Sequence, residues 1–153
     1  MKKLFSLLFV TLLLSGCFNN EPTLTPLEIQ SMQSRSYEAD QGVVFASVVS
    51  VFQDLGYVIK DADATSGFIS AESSTKSDAA TQIFLGIAKM EQTLATAYVE
   101  PIGNRTSVRV NFVESIRSSS TYGQSDREDR PILDVNLYQN AFERIENAIF
   151  IRS

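Results

Sequence analysis

The chain has 153 residues, 44% hydrophobic and 20% charged, a balance that suits one folded domain and excludes wholesale disorder. Its net charge is −5, and Lys2 and Lys3 stand apart at the N-terminus, so the rest is acidic and lacks the clustered cations that nucleic acid or anionic lipid demands. A single cysteine excludes an intramolecular disulfide, and the absence of histidine removes the usual neutral-pH base and the commonest metal ligand.

Met1-Lys2-Lys3 is positively charged, Leu4–Leu14 is an apolar run of eleven residues, and Ser15 and Gly16 are small. That order has the form of a secretory signal peptide. A helix of that length spans about 16 Å at roughly 1.5 Å per residue, well short of a hydrocarbon layer of ~30 Å, which argues against a permanent membrane span. Leu14-Ser15-Gly16-Cys17 resembles the lipobox of bacterial lipoproteins. The resemblance implies cleavage before Cys17, a diacylglycerol thioether on its sulfur and acylation, typically palmitate, of the new amino group. Two or more acyl chains anchor stably where one holds marginally. Phe18 rather than Asp follows the cysteine, which in the enterobacterial sorting rule implies the outer membrane, with the domain in the periplasm or at the cell surface. The expected organisation is a signal peptide at 1–16, a lipid-anchored tether at 17–33 and a globular domain at 34–153.

Phe18 to Gln33 carries two prolines and no clean period, as a tether does. Ser34–Glu38 reads as a short strand. Phe45, Val48, Val49, Phe52 and Leu55 recur at three- and four-residue steps and predict a helix over 41–55, with Asp40 as N-cap and Gly56 as the left-handed residue beyond its end. Tyr57–Lys60 predicts a strand, 61–67 a turn, and Phe68–Glu72 the returning strand. Residues 77–90 are ambiguous: Ala80, Ile83, Phe84 and Ile87 fit one helical face, but Gly86 interrupts it. Strands over 93–100 and 105–116 form a hairpin around Pro101–Asn104. Val108, Val110, Phe112 and Ile116 share one face of the second strand, and Ser107, Arg109, Asn111 and Ser115 the other. Residues 118–130 read as an exposed loop. A closing helix over 135–150 is expected, capped by Asp134 and turning Leu137, Ala141, Ile145, Ala148 and Ile149 inward. The sum is an α+β fold, a mostly antiparallel sheet packed by two or three helices.

Met32-Gln33-Ser34-Arg35, Leu55-Gly56-Tyr57 and the tail from Leu137-Tyr138-Gln139 to Phe150 are similar to a family of small, functionally uncharacterised bacterial lipoproteins, loosely over 32–150. That resemblance carries no catalytic motif. The order of elements also has a fold-level likeness to helix-and-sheet modules of outer-membrane assembly lipoproteins.

The chemistry-bearing residues favour plain roles. Asp61 and Asp63 share a strand-end face but lie in turn-like sequence, where Asp serves the backbone. Asp126, Glu128 and Asp129 have oxygens for calcium, yet Arg127 and Arg130 interleave them. Ser73 precedes Lys76 by three residues, as in penicillin-recognising enzymes, but their other motifs are missing. No catalytic, cofactor or metal residue is assigned. Arg35, Arg105 and Arg109 are expected on the exposed sheet face, and Tyr122 in the long loop, as partner contacts. The expected function is a lipid-anchored, non-enzymatic envelope protein, an accessory or assembly subunit that binds another envelope protein. The alternative is a carrier holding a small apolar ligand between helix and sheet.

Overall fold

The computed structural model describes residues 24–77, 87–120 and 125–153. In chain order the elements are α1 (Pro26–Gln33), β1 (Ser34–Tyr37), α2 (Gln41–Asp54), β2 (Val58–Asp63), β3 (Phe68–Glu72), β4 (Lys76–Ser77), β5 (Ile87–Ile102), β6 (Arg105–Ser120), β7 (Ser125–Pro131) and α3 (Val135–Arg152). The strands form one sheet in the order β1-β6-β5-β3-β2, with β4 beside β5 and β7 beside β6. Every pairing is antiparallel. The fold is α+β, a mostly antiparallel sheet with helices packed on it.

β5 and β6 are the spine. They pair without a break from Ile102↔Arg105 to Ile87↔Ser120, joined by a turn at Gly103-Asn104. Period two divides their side chains between two faces. Val99, Val108, Val110 and Phe112 share a face with Ile69, Ala71, Ala95 and Ala97, and all are buried. Over that face lie α2, contributing Val44, Phe45, Val48, Val51 and Phe52, and α3, contributing Tyr138, Ala141, Phe142, Ile145 and Ile149. The small alanines let the helices approach the sheet, and Phe52, Phe112 and Tyr138 fill the space between. Phe112 meets the Tyr138 ring edge-on, with centroids 5.3 Å apart, and meets Phe52 at 6.3 Å.

Leu137 and Ala148 are half-buried at the margin of the core, and the deepest places on α3 go to Tyr138 and Phe142 instead. α2 ends as expected. Gly56 adopts φ +86, its N–H reaches the Gln53 carbonyl, and the Tyr57 N–H reaches that of Phe52, a Schellman ending. Gly67, at φ +75, opens β3. A Cβ there would overlap the backbone carbonyl of Val99, whose N–H donates to the Gly67 oxygen at 2.8 Å.

Four local expectations differ from the structure. Pro26–Gln33, expected as tether, is helix α1: Thr25 and Glu28 close a capping box, and Pro26 occupies the first turn. Asp61 and Asp63 lie within β2 rather than in the turn, which is confined to 64–67; a bulge falls between Ile59 and Asp61. Residues 118–130, expected as loop, hold the end of β6 and all of β7. Ile87, placed on a helical face, begins β5. The rest of that face, Ala80, Ile83 and Phe84, lies outside the described residues.

Beyond Phe112 and Ala95 the spine runs past the helices. There β7 pairs with β6 and β4 with β5, extending the sheet as a narrower four-stranded arm. Among the described residues no helix is long and apolar enough to cross a membrane.

Candidate interaction surface

The three arginines expected on one exposed sheet face do not share it. Arg35 pairs with Val108 in register and so turns to the helix side, where its guanidinium lies 5.0 Å from the centre of the Phe142 ring. Its role is to cap the edge of the core with a cation that stacks on an aromatic ring. Arg105 and Arg109 do lie on the open face. Arg105 is engaged locally: its Nη1 donates to Glu38 Oε1 at 3.1 Å and its Nη2 to the Ser36 carbonyl at 3.0 Å. Arg109 makes a long contact from Nε to Ser34 Oγ at 3.4 Å and stays exposed. Tyr122 and Cys17 lie outside the described residues.

The register maps the open face. One cross-strand row runs Asp63, Phe68, Tyr98, Arg109, Ser34. The next holds Asp61, Ser70, Thr96 and Asn111, and the next Val58, Glu72, Leu94, Val113 and Pro131. Phe68 is 39% and Tyr98 45% exposed, adjacent in register, with Arg109 beside Tyr98. Val58 and Ile102 on the same face are more exposed still. A polar chain crosses above them: Lys60 Nζ lies 3.6 Å from Glu72 Oε2, which accepts from Gln92 Nε2 at 3.1 Å. Among the described residues no helix covers this side; α2 and α3 are both spent on the other. An antiparallel sheet tolerates one wet face, but aromatic side chains directly paired on that face leave apolar area in water.

Sequence parity carried the signal for this row. Tyr98 shares its period with Thr96 and Glu100, and Phe68 with Ser70 and Glu72, so each is an aromatic residue on an otherwise polar face. Pairing the two required the β3–β5 register, which spacing along one strand does not disclose.

The carboxylates take structural positions. Asp63 Oδ1 accepts from the Thr65 N–H at 2.9 Å, and this hydrogen bond, with help from Ser66, holds its carboxyl below the usual range; it is a turn-forming group. On β7, Asp126 and Glu128 share one face while Asp129 points to the other, so the strand separates the expected calcium oxygens. Each of the latter two instead pairs along the strand, Glu128 with Arg130 at 2.8 Å and Asp129 with Arg127 at 3.0 Å. Among the described residues no three potential metal ligands converge. Ser73 Oγ accepts from the Thr93 N–H at 2.8 Å, tying the end of β3 to β5, and Lys76 lies apart on β4.

The edge strands β7 and β2 are protected against pairing with another strand. β7 is exposed throughout, carries five charges in Asp126–Arg130 and ends in Pro131, and β2 is broken by its bulge and lined by Lys60, Asp61 and Asp63. Of the clefts, one of about 320 Å³ lies among α1, the edge strand β1 and α3, lined in part by Leu24, Met32, Arg35, Val135 and Phe142.

No protein-family model matches the chain, and no curated protein matches it. A crystal structure of a DUF4468 family protein from Bacteroides ovatus is similar over 76% of this chain and 84% of that chain, at 11% identity and a TM-score of 0.39. So remote a likeness carries no functional inference.

Proposed function

We propose that the chain is a lipid-anchored, non-enzymatic accessory subunit of the bacterial envelope, held by acyl chains on Cys17 and docking another envelope protein on the open face of its sheet. The observation that supports this reading best is the Phe68–Tyr98 pair, exposed side by side with Arg109 on a sheet face that none of the described helices covers. Aromatic residues and arginine are the types that concentrate binding energy at protein interfaces, and a rigid sheet presents them without the entropic cost of ordering a loop. The partner this face fits is a protein surface with an apolar centre, a carboxylate or carbonyl for Arg109 and a donor for Asp63. Strand addition is disfavoured at β7 and β2, which carry charge, bulge or proline.

The test places a photoreactive amino acid at Tyr98 and, as control, at Glu143 on the solvent side of α3. Irradiated cells are then solubilised and the tagged protein purified, with and without Cys17→Ser. The expected result is one stoichiometric envelope protein cross-linked from position 98, absent from 143 and reduced in the unanchored variant. Cross-links from both positions to many proteins, or from neither, would sink the docking reading. The alternative, an apolar-ligand carrier, draws less support: the helix–sheet interior is occupied by Phe52, Phe112, Tyr138 and Phe142.

A further inference from the structure

On the arm, Arg117 of β6 stands directly opposite Arg127 of β7, on the open face of the sheet. The next register pair outward, on the same face, is Ser119 and Ser125. Like charges in facing cross-strand positions repel and destabilise a sheet. Asp129 Oδ1 accepts from Arg127 Nε at 3.0 Å, and the Glu72 charge acts on Arg127 more weakly. That hydrogen bond is the main cause holding Asp129 below the usual carboxylate range, with the Arg117 charge a smaller contribution. A cleft of about 290 Å³ opens here, walled by Met90, Arg117, Ser119, Ser125, Asp126 and Arg127.

We infer that this cleft binds a single phosphate group. Each guanidinium offers a planar fork of N–H donors and each serine a hydroxyl, more donors than the two oxygens of a carboxylate can take up, whereas a tetrahedral phosphate uses both forks at once. Its negative charge would replace the repulsion between Arg117 and Arg127 with two charge-assisted pairs. Asp126 at the rim and the net charge of −5 weigh against an extended polyanion, so the ligand is a small phosphate-bearing molecule or one lipid headgroup. The site is separate from the Phe68–Tyr98 row and does not depend on docking or on the anchor.

The purified protein in non-ionic detergent is titrated with inorganic phosphate and, separately, with glycerophosphoglycerol, the phosphodiester headgroup of an anionic lipid. Arginine Nε–H resonances report binding. Saturable shifts in two arginines are expected, with affinity falling about tenfold or more in Arg117→Gln and in Arg127→Gln, since each loses a charge-assisted fork. Arg117→Lys, which keeps the charge without the fork, should fall between, and Arg109→Gln should bind as the unaltered protein does. The tighter probe identifies the source, free phosphate or headgroup. Arg127→Gln also releases Asp129, so Arg117→Gln with an unchanged melting transition is the decisive variant. Failure of both probes to saturate, or equal affinity in Arg117→Gln, overturns the site.

Discussion

The edge of β6 is bordered by two strands that do not meet. β1 pairs with it from Thr106 to Arg109, β7 from Val113 to Ser119, and between them the backbone of residues 110–112 has no strand beside it. Tyr138 closes the gap from above. Its hydroxyl accepts the Phe112 N–H at 3.2 Å and a bond from Gln33 Nε2 at 3.4 Å, while the Phe112 carbonyl takes the Ile132 N–H at 2.9 Å. Removing that one oxygen in Tyr138→Phe leaves a buried donor without a partner, which costs roughly 1–3 kcal/mol. Tyr37 is the control. Its hydroxyl donates to the Phe142 carbonyl at 3.3 Å, and an oxygen inside a helix keeps a second partner, so Tyr37→Phe should cost only about 1 kcal/mol. Urea unfolding of both variants checks this, and equal losses would refute the special position of Tyr138. Nothing in the spacing of α3 announces the role. The stripe expected from sequence turns Leu137 inward rather than Tyr138, and only the gap beside β6 gives the Tyr138 hydroxyl work.

At the scale of the element, the two long helices begin at aspartates of unequal value. Asp134 accepts the Asn136 N–H at 2.9 Å, whereas Asp40 occupies the same position at the head of α2 with no side-chain cap hydrogen bond. Asp134→Ala should therefore lower stability by about 1 kcal/mol and Asp40→Ala by a few tenths, the difference being read in thermal melts. Both are legible as caps in sequence, because an Asp before an apolar stripe is the same signal whether or not the bond forms. The elements that escaped are instructive. Thr25-Pro26-Leu27-Glu28 holds a full capping box, yet prolines on either side of Thr23-Leu24-Thr25 look like linker, and a helix of eight residues offers too short a period to outweigh them. Ser125–Pro131 has the composition of a loop because it is an edge strand, where charge and proline guard against pairing with another chain. Its partner is the surplus length of β6, a tertiary fact. The site followed the same pattern: Arg109 was visible from the alternation of β6, but Arg35 sits one strand away in a register that turns it over Phe142. The Phe68–Tyr98 pair likewise exists only once β3 lies beside β5.

At the scale of the whole molecule, the described residues form a sheet of two halves with unequal support. In the turn-proximal half, Val99, Val108, Val110 and Phe112 of the spine are buried on the covered face under α2 and α3. In the arm, Glu91, Ile116 and Glu128 make up a row on that same face, and Ile116 is only half-buried. Hydrophobic burial is what raises the free energy of local opening, while exposed ion pairs such as Lys89–Glu91 and Glu128–Arg130 add little. Amides of 89–92 and 115–119 should therefore exchange with solvent at least about tenfold faster than those of 97–99 and 108–110, although all belong to the same two strands. Hydrogen exchange followed by mass spectrometry would show this as two protection classes divided near Phe112. Both proposed surfaces depend on that division. The Phe68–Tyr98–Arg109 row rests on the supported half and keeps its geometry before a partner arrives, as a rigid docking face must. The Arg117–Arg127 cleft rests on the arm, so phosphate should slow exchange there and leave the supported half unchanged. A single protection class would mean that β4 and β7 lock the arm as firmly as the helices lock the core. Any effect of phosphate on exchange would then have to be sought in the stability of the entire sheet.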